Sequence, residues 1–185
     1  MALREILTEP NKLLREKSLA VEKVDEDLQK LMNDMLETMY AAPGIGLAAI
    51  QVGVPKRVIV LDIGWRNESE STNDEKQVVR KNPICFVNPE IITKSTNNST
   101  YEEGCLSVPG QFAEIERPDK CHIKYLDYYG QPKELVAEDM LATCIQHEID
   151  HLEGILFIDY LSKLKKSMIV KKLTKQKEQL DRIVI

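Results

Sequence analysis

The segment Asp139-Met140-Leu141-Ala142-Thr143-Cys144-Ile145-Gln146-His147-Glu148-Ile149-Asp150-His151-Leu152 carries more chemical information than any other part of the chain. It reads as a helix over 139–152, with Gly154 as its stop. His147 and His151 stand four residues apart, so their imidazoles leave one face of that helix one turn apart and can share a single metal ion. Glu148 is offset about 100° from His147 around the axis. That offset lets it reach a water activated by the ion without itself being a ligand. The chain has only three histidines, and two of them are used here. The bland alternative is a pair of surface histidines on an amphipathic helix.

A catalytic tetrahedral site wants a third protein ligand. Metalloproteases of the HExxH kind take it from downstream. No histidine follows His151, and the carboxylates that do follow, Glu153, Asp159, Glu178 and Asp181, have no compelling context. A zincin-like metallopeptidase is therefore disfavoured. Cys144 shares the helix, but it lies ~10 Å along the axis from His151. Donors around one ion sit only ~3.5 Å apart, so Cys144 is expected to line a pocket or the core. Cys85 and Cys121 fall in apolar strand patterns and are expected to be buried thiols. Cys105 differs: it stands in the glycine-flanked stretch Glu102-Glu103-Gly104-Cys105-Leu106-Ser107-Val108-Pro109-Gly110, which can bring a thiolate close to a metal. With no CxxC pair, the four cysteines read as reduced thiols and not as a disulfide framework.

Working outward, Leu28, Leu31, Met32, Met35, Leu36, Met39 and Tyr40 recur with helical period. They predict a helix over 25–42, capped by Asp25 and stopped by Pro43-Gly44. Gly44-Ile45-Gly46 is expected to be a loop. Residues 57–63 predict a buried strand. Residues 66–82 are polar and predict a long loop or hairpin tip. Residues 84–95 predict two short extended pieces broken at Asn88-Pro89. Residues 112–117, 121–129 and 133–139 predict a meander turning at 130–132. Ser162 should cap a last helix running to about the C-terminus, with Leu161, Leu164, Met168 and Leu173 as its packing stripe. No repeat or linker interrupts this order, which predicts one α+β domain over 1–185.

At 185 residues, 43% hydrophobic and 30% charged, the chain can bury a core and is not a disordered segment. No apolar run reaches the ~18–20 residues of a membrane span. The net charge of −5 gives no support for DNA binding. The first ten residues carry no apolar targeting stretch, so a cytoplasmic protein is expected. Charge is uneven: residues 161–185 are +6 and the remainder −11. That tail is either a solvated helix face or a docking element for an anionic partner.

Three segments, Gly44-Ile45-Gly46-Leu47-Ala48-Ala49-Ile50-Gln51, Glu103-Gly104-Cys105-Leu106-Ser107 and Gln146-His147-Glu148-Ile149-Asp150-His151-Leu152, together resemble peptide deformylase, a family marked by GxGLAAxQ, EGCLS and QHExDHL in this order. The resemblance implies an α+β fold: a central helix with the HExxH residues, surrounded by antiparallel strands, plus N-terminal and C-terminal helices. It implies that Cys105, His147 and His151 bind one divalent ion, Fe²⁺ by resemblance, with Zn²⁺ or Ni²⁺ as replacements. Glu148 would be the general acid/base. Gln51 and the backbone N–H of Leu106 would hold the oxyanion. Gly44, Gly46 and Gly104 would line the cleft for the peptide main chain, and Ile45, Thr143 and Cys144 the methionine pocket. The implied reaction removes the N-formyl group from the initiator methionine of new polypeptides and releases formate. The long last helix resembles a group in which that helix docks on the ribosome. Phe112 and Gly110 depart from relatives that carry polar or basic side chains there, an Arg among them. A non-catalytic protein with a structural metal is the remaining alternative. Such a site would want four protein ligands, and three can be found.

Overall fold

The structure, a computed structural model, describes residues 2–64 and 81–183. The expected 66–82 loop thus lies almost wholly outside the described residues. Helix α1 spans Glu26–Ala41, and the Asp25 side chain caps it by accepting from the Leu28 N–H. Among the described residues seven strands follow: β1 (Gly46–Ala48), β2 (Val58–Leu61), β3 (Ile84–Lys94), β4 (Asn98–Cys105), β5 (Val108–Pro118), β6 (Lys120–Leu126) and β7 (Pro132–Glu138). Helix α2 is Asp139–Leu152 and helix α3 is Lys163–Ile183. Five strands form one antiparallel sheet in the order β1-β2-β3-β6-β7, and β4 pairs with β5 in a second sheet. The class is α+β with antiparallel sheets.

β2 explains why its sequence is apolar at every position. Val58 and Val60 face α1, packing with Met32, Met35 and Met39. Ile59 and Leu61 face α2, packing with Ile145, Ile149 and Leu152. A strand covered on both faces needs no polar alternation. Helix α2 touches strands of both sheets, so its HExxH residues sit where the two sheets meet.

Four expectations are corrected. Gly46, expected in a loop with Gly44 and Ile45, instead opens an edge strand and pairs with Leu61. Residues 84–94 are one strand and not two; pairing with β6 slips between Val87 and Glu90, and Asn88 takes φ +51°. The proline therefore sits at a bulge, where its missing N–H costs no ladder bond. The meander holds only for β6 and β7, because a tight turn after Cys105 folds β5 back onto β4 and takes residues 112–117 into the second sheet. On α3, Leu164 is 72% and Met168 63% exposed. The packed stripe is Ile169, Val170 and Leu173, with Leu161 before the helix. Their i, i+1, i+4 spacing marks a single helix face, offset from Leu164 and Met168.

Candidate metal centre

The side chains of His147 and His151 leave one face of α2 with ring centroids 5.1 Å apart. Cys105 ends β4, just where pairing with β5 slips from Gly104↔Phe112 to Cys105↔Val108. That irregularity swings its sulfur toward α2, to 3.2 Å from His151 Nε2. One donor atom each from Cys105, His147 and His151 lies within 4.8 Å of the others. One sulfur and two imidazole nitrogens would supply three protein ligands to an ion, the number found in catalytic centres, whereas closed structural centres use four. The donor set fits a divalent ion. Cys144 stands outside the cluster, where burial and the neighbouring Glu148 push its thiol up to about 12.

A buried ionic chain orients the first histidine. His147 Nδ1 meets Glu103 Oε2 at 2.7 Å, which leaves Nε2 for the ion. Glu103 is gripped in turn by Arg117, Nε to Oε1 at 2.5 Å and Nη2 to Oε2 at 3.0 Å. Arg117 also donates to Asp150 Oδ2 at 2.7 Å, and the Tyr160 hydroxyl donates to the same oxygen at 2.9 Å. Burial pushes the Glu103 carboxyl up, but the hydrogen bonds from His147 and Arg117 outweigh it and hold it below the usual range. Burial pulls His147 down, yet its bonds to Cys105 and Glu103 leave it well above the usual histidine range. Burial and the adjacent His147 hold His151 well below that range.

Glu148 is 5% exposed, and its Oε2 accepts no hydrogen bond among the described residues. Burial pushes its carboxyl up to about 7, against the opposing pull of His147. It lies so close to β1 that a side chain on Gly46 would overlap its carboxylate. Gln51 is fixed at both ends of its amide. Ala48 N–H donates to Oε1 at 2.8 Å, while Nε2 donates to Ser107 Oγ at 3.0 Å and toward Cys105 Sγ at 3.5 Å.

A cavity of about 560 Å³ gathers Gly44, Ile45, Gly46, Gln51, Gly104, Cys105, Leu106, Thr143, Cys144, His147 and Glu148 on its walls. His151 lies beneath, 1% exposed. The residues expected at the site thus come together. Phe112, 66% exposed, lies at the mouth with its ring across Gly104, where a Cβ would stand 2.6 Å from Cε1. Sequence reasoning missed the roles of Arg117, Asp150 and Ser107. One signal for Arg117 exists: alternation along β5 sets it on the same side as buried Ile115. Two of the carboxylates downstream of His151 are engaged elsewhere: Glu153 with Lys17 and Arg57, and Asp159 with Arg15 and Lys166.

The chain is similar to known proteins over most of its length. A family model described as polypeptide deformylase matches residues 3–167. A peptide deformylase of Pelagibacter ubique is 61% identical over 185 residues, covering all of both chains. The crystal structure of peptide deformylase from Ehrlichia chaffeensis superposes with a TM-score of 0.84 at 43% identity, covering 95% of this chain and 97% of that one. A peptide deformylase structure from Legionella pneumophila gives 0.82 at 45% identity, covering 98% and 99%.

Proposed function

The chain belongs to the peptide deformylase family, and from that premise we propose how its own residues carry the reaction. The protein is a metal-dependent hydrolase that removes the N-formyl group from nascent peptides. In our reading Cys105, His147 and His151 hold a single divalent ion, which when bound supplies Lewis acidity toward water and the formyl oxygen. Glu148 accepts the proton of the attacking water and delivers it to the leaving amine nitrogen, so that formate and a free methionyl amine result. Gln51 Nε2 and the Leu106 N–H donate to the oxygen that becomes negative as the carbonyl is attacked. Loss of one such donor typically costs ~10²–10³ in rate.

The observation that carries this reading is one cavity wall. It holds Cys105 and His147 with His151 just beneath, a buried Glu148 oxygen that accepts no hydrogen bond among the described residues, and an amide N–H₂ fixed in place. Gly44, Gly46 and Gly104 leave room for the peptide main chain, and Ile45, Thr143 and Cys144 receive the methionine side chain. The ion in the cell is Fe²⁺ in this reading, with Zn²⁺ and Ni²⁺ as competent replacements for an S/N/N donor set. The whole chain works as one catalytic domain around α2 as its central helix. It acts in the cytoplasm, where new chains emerge. No helix among the described residues is long and apolar enough to cross a membrane.

The test compares formylated with acetylated methionyl peptides and measures formate release and metal content. Only the formylated peptide should be cleaved. Cys105→Ser should lose the ion, whereas Glu148→Ala should keep it stoichiometrically and lose activity by several orders of magnitude. Parallel loss of metal and activity in Glu148→Ala would refute its assignment. For α3 we propose ribosome docking through Lys171, Lys172, Lys175 and Lys177, of which all four are exposed. Reversing three of these charges should abolish low-salt co-sedimentation with ribosomes and spare cleavage of a short peptide.

A further inference from the structure

We propose that Ser107 is a positioning residue for the Gln51 carboxamide, and that the N-terminal segment Ala2–Glu9 is a strap that clamps the two together. The inference rests on the reading of Gln51 as an oxyanion donor and extends it to groups that touch no substrate.

The argument starts from the inventory of a carboxamide, which has one acceptor oxygen and two N–H donors. Its terminal torsion is soft and roughly two-fold, so a glutamine amide does not orient itself. Here the Ala48 N–H donates to Oε1 at 2.8 Å and settles which end is oxygen. Ser107 Oγ then accepts one Nε2 proton at 3.0 Å. The other is left toward Cys105 Sγ, 3.5 Å away, on the side of the metal donors. Ser107 is fully buried, so water cannot substitute for its hydroxyl. Without that acceptor Nε2 keeps only the long contact to Cys105 Sγ, and the amide is held closely at its oxygen end alone.

Gln51 and Ser107 belong to different parts of the fold, the helical turn Ala49–Val52 and the turn between β4 and β5. Something must hold these two turns in register. The strap does so through its main chain: the Leu7 N–H donates to the Gln51 carbonyl at 2.7 Å, and the Glu9 N–H to the Ser107 carbonyl at 2.8 Å. Its far end is fastened to α1. The Ala2 N–H donates to Asp34 Oδ1 at 2.9 Å, the Arg4 N–H to Thr38 Oγ1 at 3.0 Å, and the Arg4 guanidinium to Asp34 Oδ2 at 3.1 Å. Asp34 and Thr38 are 2% and 3% exposed, so these anchors are built into the fold and are not surface contacts.

The test is a double-mutant cycle with a formyl-Met-Ala peptide, reading kcat, KM, bound metal and melting temperature. Ser107→Ala should lower kcat about tenfold, less than the ~10²–10³ of losing a donor outright. KM should stay within about twofold and metal should stay full. In a Gln51→Ala background the same substitution should cost less than about twofold, because the group it positions is gone. Leu7→Pro removes the strap's N–H to Gln51. It should follow the same pattern with a smaller loss, and Leu7→Ala should not. Should Ser107→Ala fail to fold, Ser107→Cys and Leu7→Pro carry the same cycle. Equal loss in both backgrounds, or a Ser107→Ala enzyme with wild-type kcat, overturns the proposal while leaving Gln51's own role intact. A Gln51→Ala enzyme with wild-type kcat instead overturns the oxyanion reading itself.

Discussion

Replacing Arg117 by Leu tests whether the buried ionic chain behind His147 supports both the fold and the metal centre. The Arg117 and Glu103 side chains are 4% and 5% exposed, and Asp150 is 17% exposed. Arg117→Leu leaves Glu103 buried with His147 as its remaining partner, while Asp150 keeps the Tyr160 hydroxyl. Breaking a buried pair by removing one partner costs about 3–5 kcal/mol, since the surviving charge stays desolvated. For a domain of this size that corresponds to a fall in melting temperature of roughly 6–20 °C. The destabilisation should be measured by denaturant unfolding of metal-free protein, so that ligand linkage does not mask it. It should also depend on pH. In the native chain Glu103 is held low by His147 and Arg117 against burial; without Arg117 part of that pull is lost, and the loss penalises the fold most where the carboxyl must ionise. The deficit should therefore shrink as pH is lowered toward the carboxylate range. A second effect follows at the metal: loosening the carboxylate that orients a ligating histidine should weaken binding about 10–100-fold in chelator competition. Adding Glu103→Gln should recover part of the stability by removing the stranded charge. An Arg117→Leu protein that melts within about 2 °C of the parent and holds its metal equally well would refute the reasoning on both counts.

Gly46→Ala should lower kcat about tenfold or more with metal retained, because the new Cβ would overlap the Glu148 carboxylate and stand 2.7 Å from Leu61 Cδ2; an unchanged kcat would show that Glu148 has slack. Gly154→Ala should destabilise by about 2 kcal/mol in thermal unfolding, since the residue holds φ +74° and a Cβ there would meet the Arg15 carbonyl oxygen at 2.5 Å. Burial pushes Glu153 and Asp159 up, yet Lys17 and Arg57 at the first and Lys166 at the second override it and hold both carboxyls low. Groups with lowered native values contribute stability above the unfolded carboxylate range and lose it as pH falls through the lowered values. A Glu153→Gln/Asp159→Asn protein should therefore show a flatter acid limb in its stability profile than the parent, and superimposable limbs would count against these pairs.

What could be read from the sequence, and what could not, divides along the range of the interaction. The pair His147 and His151, the offset of Glu148 and the Met32-Met35-Met39 stripe depend on neighbours within two helical turns, and helical geometry alone specifies them. The β4–β5 sheet depends on a choice of partner. Alternation marks 112–117 as extended, but it does not say whether the strand pairs forward with β6 or backward with β4; the two-residue turn after Cys105 makes the backward choice the local one. Gly44-Ile45-Gly46 looks like a loop because glycine is a poor strand former. Position 46 nevertheless joins an edge strand, and it is glycine because a side chain there would overlap Glu148: the site, and not strand propensity, accounts for the residue. The same logic covers Arg117, fourteen residues from Glu103 and set on the apolar side of β5 with Ile115. A guanidinium on a core-facing position breaks the hydrophobic pattern, and such a break costs stability unless a buried counter-charge meets it. Local rules fail here because distant residues have been recruited to orient one imidazole, so the departures from pattern at Gly46 and Arg117 are themselves pointers to the metal centre.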